Sequence, residues 1–295
     1  MSVETPPPFS AAPDPNPRRP DFAVPAAACD CHAHVFGPGN RYPLIPHGLY
    51  VPADALPAQY RHMLDILGVA RGVLVQPSIY GTDNRAMLDA LAQDPARLRG
   101  VAVLPFDADR SEIERLHAQG VRGVRCNIVD LKFDKGKLPL DGLRALAANI
   151  KPYGWHLEFL MHVDEFPELD VTLADFPVEI VFGHLGYVPT AQGPDTKGFH
   201  ALLRLLRDGK AWVKLTAPYR LTLGAAPYPE VMPFAQQLVE AAPERLLWGS
   251  DWPHTFIKSA MPNDGDLFAL FAQWVPDADT RRRILVDNPA RLYDY

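Results

Sequence analysis

The 295-residue sequence predicts an α/β fold, a single (β/α)8 TIM barrel. Short β-rich runs alternate with longer amphipathic stretches, strand then helix, after a proline-rich start. The space available, about 260 residues, is the size of eight such units. The strand runs end in polar residues, and in these barrels the chemistry gathers at the carboxyl ends of the strands. An open doubly wound sheet is the rival architecture. It usually carries a G-x-G-x-x-G turn after its first strand, and "HVFGPGN" does not match that pattern.

Residues 1–28 include "TPPPFSAAPDPNPRRPDF". Proline at this density forbids regular structure and leaves little to bury, so the segment reads as an extended arm. Packing along the chain's own surface or along a neighbouring copy in a homo-oligomer are both open to it. Residues 29–295 form the barrel domain.

The strands are expected at residues 27–35, 71–78, 100–105, 121–127, 155–162, 178–186, 211–216 and 245–252. The first, "AACDCHAHV", places Asp30, His32 and His34 at alternate positions. Strict alternation would put them on one face and Cys29 and Cys31 on the other, towards the helices. Helices are expected at 57–68, 84–93, 110–120, 140–154, 198–209 and 230–243, from apolar residues at three- and four-residue spacing. Asp83 and Asn84 read as a cap for the second of these. "DNPARLY" reads as a C-terminal packing helix.

Charge and composition exclude several classes. A formal net charge of −6 argues against a nucleic-acid partner, which needs a basic face. No apolar run approaches the roughly 20 residues of a membrane span, and "MSVETPPPFS" lacks the features of a secretory signal. A cytoplasmic location is the resulting expectation. Three cysteines are too few for a disulfide framework.

The polar residues at the strand ends are Asp30, His32 and His34; Gln76 and Ser78; Arg125 and Asn127; His162; His184; Lys214 and Thr216; and Asp251, with His254 just beyond it at the expected pocket rim. Barrel closure sets the last strand beside the first, so Asp251 can meet His32 and His34 across more than 200 residues of chain. Imidazoles and a carboxylate suit zinc with a position open to water. Without a metal, Asp251 could serve as general base, given some desolvation. Lys214, pointing inwards, is expected to pair with a buried glutamate such as Glu158.

"CDCHAHVFGP", "GTDNRAMLDAL", "GVRGVR", "GHLG", "LLWGSDWPH" and "VDNPARLY", in this order, resemble the amidohydrolase superfamily. The branch is similar to the lactone hydrolases typified by 2-pyrone-4,6-dicarboxylate lactonase, with 4-sulfomuconolactone hydrolase and galactarolactone isomerase as relatives. The resemblance spans roughly residues 28–293. It implies water attack on a lactone carbonyl, with Asp251 activating the water and His32, His34 and His184 around it. It also implies that Arg125 and Arg220 hold substrate carboxylates, a task suited to bidentate guanidinium contacts, and that Tyr50 and Ser78 line the pocket.

The sequence departs from that pattern in three places. After the fourth strand "NIVDLKFD" offers Lys132 and Lys135 where an arginine is expected, and Leu160 stands where a tyrosine is expected. Both changes weaken the grip on a second carboxylate and favour one carboxylate, a sulfonate or a different ring. The third is His162, near a histidine position of the metal-dependent members. The metal set implied is therefore His32, His34, His162 and Asp251, holding one divalent ion, zinc by donor preference, with a metal-free site as the alternative. A lactone hydrolase acting on a small anionic lactone, in the breakdown of aromatic compounds, is the resulting expectation. A metal-dependent decarboxylase, a lactone isomerase and a non-enzymatic binding barrel are the alternatives.

Overall fold

The computed structural model describes residues 7–129, 137–257 and 259–295. Eight parallel strands make one sheet: β1 (Cys29–Ala33), β2 (Arg71–Val75), β3 (Leu98–Ala102), β4 (Val121–Asn127), β5 (His156–Leu160), β6 (Ile180–Phe182), β7 (Ala211–Leu215) and β8 (Leu246–Trp248). They pair in sequence order from β1 to β8. Beyond β8 the sheet closes on β1. Ala33 bridges Trp252 in parallel, the Asp251 amide donates to the His32 carbonyl at 2.8 Å, and the His34 amide donates to the Trp252 carbonyl at 2.8 Å. The expected barrel is thus the observed one.

A helix comes after every strand: Pro57–Leu67, Arg85–Gln93, Arg110–Ala118, Leu140–Ile150, Leu169–Leu173, Lys197–Arg207, Met232–Ala241 and Asp264–Trp274. The first begins with proline, whose missing amide proton costs nothing there, and stops at Gly68 in the left-handed region. The expected C-terminal helix forms at Asn288–Tyr293. The expected cap at 83–84 is only half right. The Asp83 carboxylate accepts from the Arg85 amide, whereas Asn84 reaches across to Val103, donating to its carbonyl and accepting from its amide.

The strict alternation expected in the first strand fails. Asp30 pairs with Gly72 but Ala33 with Leu74, so three residues on β1 span two on β2. That extra residue is a bulge, which resets the facing of the residues beyond it. Cys29 and Cys31 consequently pack inside the barrel with Val73, Val75, Val101, Val181 and Leu247, not towards the helices. Asp30 leaves the interior set: its carboxylate accepts from Tyr60 Oη (3.1 Å), Ser250 Oγ (2.6 Å) and the Ser250 amide (2.9 Å). It braces the β1–β8 seam, where burial pushes its pKa up to about 6.

Gly249 is required at this seam. A Cβ there would stand 2.6 Å from His32 Cβ and 2.9 Å from the His32 nitrogen. The described part of the N-terminal segment lies along the chain's own barrel. Phe9–Ser10 pairs with Val51–Pro52, Phe22 packs edge-on against Phe268, and the Arg18 amide donates to Asn263 Oδ1 at 2.8 Å.

Candidate active site

The carboxyl ends of β1 and β8 bring three predicted residues together. His32 Nε2 lies 3.5 Å and His34 Nε2 3.6 Å from Asp251 Oδ1. All three side chains are buried. His34 Nδ1 donates to the Val75 carbonyl at 2.7 Å, which leaves its Nε2 a lone pair. Glu158 Oε1 lies 3.2 Å from His32 Nδ1, where it accepts the proton of the tautomer that frees Nε2. His32 Nε2 and Asp251 Oδ1 are both buried without a hydrogen-bond partner.

Unpaired buried polar atoms are costly, and these converge on one point. Zinc bonds of about 2.0–2.2 Å in a tetrahedron place neighbouring donors roughly 3.3–3.6 Å apart. The observed spacings match, so these three residues could hold a divalent cation. His162, the fourth of the expected ligands, stands apart from them. Its Nδ1 donates to the Tyr187 carbonyl at 2.7 Å and its ring stacks on Tyr187 at 4.4 Å.

Behind His32 is a buried polar layer. Lys214 Nζ donates to Glu158 Oε2 at 2.5 Å, the pairing expected from sequence, and lies 3.3 Å from His32 Nδ1. Burial disfavours the Glu158 carboxylate, but Lys214 and the neighbouring histidines outweigh it and hold its pKa well below the usual range. Burial, aided by the Lys214 charge, drops His32 to about 3, so the imidazole is neutral. His184 is held well below its ordinary pKa, chiefly by burial.

Behind Asp251 is a second layer. Its Oδ2 accepts from Tyr219 Oη (2.7 Å) and from Arg220 Nε (2.8 Å). Burial alone would raise its pKa, the sense expected for a desolvated base. Arg220 and the surrounding histidines reverse that and hold Asp251 well below the carboxylate range. Tyr219 Oη lies 2.8 Å from His254 Nδ1, and His254 Nε2 lies 3.0 Å from Asp264 Oδ1. His254, expected at the rim, is therefore fully buried behind the site. Asp251 and His184 both have positive φ, at 61° and 48°. Non-glycine residues hold that conformation only where surrounding structure imposes it, commonly at functional sites.

These groups open onto a chamber of about 150 Å³. Its walls include His34, Tyr50, Ser78, Arg125, His184, Arg220 and Asp251, so seven of the expected site residues border one space, while His32 lies behind its wall. Arg125 is buried and donates to the Gln76 carbonyl at 3.0 Å, with no carboxylate partner among the described residues. Arg220 is already shared between Asp251 and the Thr255 carbonyl. Thr255 Oγ1 donates to Tyr50 Oη at 3.2 Å. Leu160 lines the wall, while Lys132 and Lys135 lie outside the described residues.

Tyr219, Tyr187 and Asp264 went unassigned from sequence. Tyr219 and Tyr187 belong to loops, where no strand periodicity marks them. The audible signal was for Glu158, a charge at an inward position of a β-rich run.

Residues 29–295 match the amidohydrolase family model. The chain is 39% identical over 287 residues to a 2-pyrone-4,6-dicarboxylate hydrolase of Comamonas testosteroni, covering 94% of this chain and 93% of that protein. It is 37% identical to a 4-sulfomuconolactone hydrolase of Rhizobium radiobacter, over 92% and 91% of the two chains. A crystal structure of a probable 2-pyrone-4,6-dicarboxylic acid hydrolase of Acinetobacter baumannii, with citric acid bound, superposes with a TM-score of 0.81 at 32% identity, covering 91% of this chain and all of that one.

Proposed function

The chain belongs to the amidohydrolase family, and from that premise we propose that it opens a small anionic lactone by water attack on the ring ester. The observation that carries the reading is one chamber lined both by Arg125, buried with no carboxylate partner among the described residues, and by Asp251, a buried carboxylate whose Oδ1 has no hydrogen-bond partner among them. Relatives named for a pyrone dicarboxylate and a sulfomuconolactone, and a related structure holding citric acid, supply the substrate class. A carboxylated or sulfonated lactone, met in the breakdown of aromatic compounds, fits it.

Arg125 anchors the anion and aims the ring into the chamber. His184, buried and neutral, stands where a proton donor can meet the carbonyl or the leaving ring oxygen. Asp251 Oδ1 accepts the proton of the attacking water while His32 and His34 hold its orientation. An anion beside Arg220 weakens that cation's hold on Asp251 and raises the carboxylate's affinity for the proton. Leu160 in the wall and the pairing of Arg220 to Asp251 favour a single anionic group over two. His32, His34 and Asp251 would hold the divalent ion, zinc by donor type, and such an ion supplies carbonyl polarisation and acidified water.

The test is proton release by purified protein on carboxylated and sulfonated lactones, before and after chelation with metal analysis. Stoichiometric proton release supports the reading. Release of CO2 from ring acids with no lactone opened would replace it with a decarboxylase, and ring-retaining products would replace it with an isomerase. Activity lost on chelation and restored by zinc supports the metal site; activity in metal-free protein removes it.

A further inference from the structure

The reacting chamber has a larger neighbour. A cavity of about 540 Å³ shares Leu49, Ser78 and Arg125 with it, so the two spaces meet along one wall. The larger one spreads over the carboxyl ends of β2, β3 and β4, on the barrel face where the site lies. Ile45, Leu49, Ile79, Leu104, Phe106 and Ile128 line it. Arg125, at the shared wall, is the one Lys, Arg, Asp or Glu among its described lining residues. Cys126 also faces it, and burial pushes that thiol up to about 12, so the wall carries no thiolate at neutral pH.

Size separates the two spaces by task. A void of about 150 Å³ accommodates a benzene-sized ring and little more. The larger space falls in the range of pockets that bury small molecules, roughly 300–1,000 Å³, with apolar walls and one placed charge. A second anion entering it would meet mostly apolar side chains and, among the described lining residues, no further Lys or Arg, a desolvation penalty with little repayment.

We infer that this chamber is a substrate subsite for an apolar substituent: the chain's preferred substrate is a monoanionic lactone whose ring carries an aromatic or alkyl group. The ring occupies the inner chamber, its anion lies on Arg125 at the shared wall, and the apolar group fills the outer chamber. This rests on the lactone-hydrolase reading.

The experiment compares γ-butyrolactone γ-carboxylate with the same lactone bearing a phenyl group on the ring, and with a dicarboxylated analogue. Burying a phenyl group is expected to raise kcat/KM by roughly 10- to 100-fold over the unsubstituted acid, with the dicarboxylate below both. In Ile128→Trp, and separately in Ile45→Trp at the more exposed rim, the ratio of phenyl-bearing to unsubstituted kcat/KM should fall towards one. Equal kcat/KM for all three lactones, or a ratio unmoved in both variants, overturns the subsite. Calorimetry with the matching ring ethers, which carry the acid but no ester, separates the two claims. At least tenfold tighter binding of the phenyl-bearing ether with no lactone opened keeps the subsite and removes the hydrolase; lactone opening with no phenyl preference in rate or binding does the reverse.

Discussion

Replacing Gly249 by alanine probes the seam on which the site is built. The added Cβ would stand 2.6 Å from His32 Cβ and 2.9 Å from the His32 nitrogen. Apolar carbons rest at about 3.5–4.0 Å, so β1 and β8 must separate by about 1 Å. Both contacts are with main chain or with the first side-chain atom, so no rotamer change relieves them. Overpacking of this kind costs about 1–3 kcal/mol. For a chain of this length that lowers Tm by roughly 2–5 °C. The same 1 Å displaces His32 from Asp251, and a shift of that size costs on the order of 100-fold in rate. Thermal melts and kcat/KM on an accepted lactone read both effects. Gly39→Ala, where nothing lies within 4 Å of the added carbon, is the control and should stay within about 0.5 kcal/mol of the parent. A Gly249→Ala protein with parental Tm and activity would refute the closed seam and the placing of His32 by it.

Asp251→Asn removes the proton acceptor and should cost about 100- to 10,000-fold in kcat, measured by steady-state proton release; retention of most activity would remove Asp251 from the chemistry. Arg220→Met strips the cation from Asp251 Oδ2. Asp251, depressed in the parent, gives stability above its unfolded pKa that is lost as pH falls through the folded value. The variant should therefore lose about 3–5 kcal/mol at neutral pH, and the acid limb of its pH–rate profile should move up by roughly 1–3 units; an unmoved limb would contradict the pairing. KM for an anionic lactone should also rise more than for a neutral one. Asp30 has the opposite sign, since its folded pKa of about 6 lies above the unfolded value. Stability should fall as pH rises from about 4 to 6, by up to about 3 kcal/mol, and Asp30→Asn should abolish that slope in denaturant titrations across this range.

The barrel was legible because its signals are local and repeated: β-rich runs, amphipathic helices and polar strand ends recur at one spacing. His32, His34 and Asp251 were legible for the same reason, since barrel closure relates the last strand to the first whatever lies between. The facing of Cys29 and Cys31 was not, because a single-residue bulge is set by pairing with β2 and leaves no mark on β1 itself. The ionic partners of the site resisted reading in a different way. Arg220 is visible as a charge, but its attachment to Asp251 depends on how the Pro218–Arg220 turn is placed over β8. The helix Leu169–Leu173 is only five residues long, too short to show a helical period. Asp264–Trp274, capped by Asn263 Oδ1 accepting from the Gly265 amide, carried a signal that its nearly unbroken apolar run obscured.

In the proposed reaction, water attacks a lactone carbonyl in this chamber. Turnover of a carboxylated lactone in ¹⁸O-water, with mass analysis of the product, tests it most directly. One ¹⁸O in the newly formed carboxylate, none in the released hydroxyl, and loss of labelled product in Asp251→Asn are the expected results. Label in the hydroxyl, an unlabelled ring-retaining product, or equal labelling by the Asp251→Asn protein would contradict it.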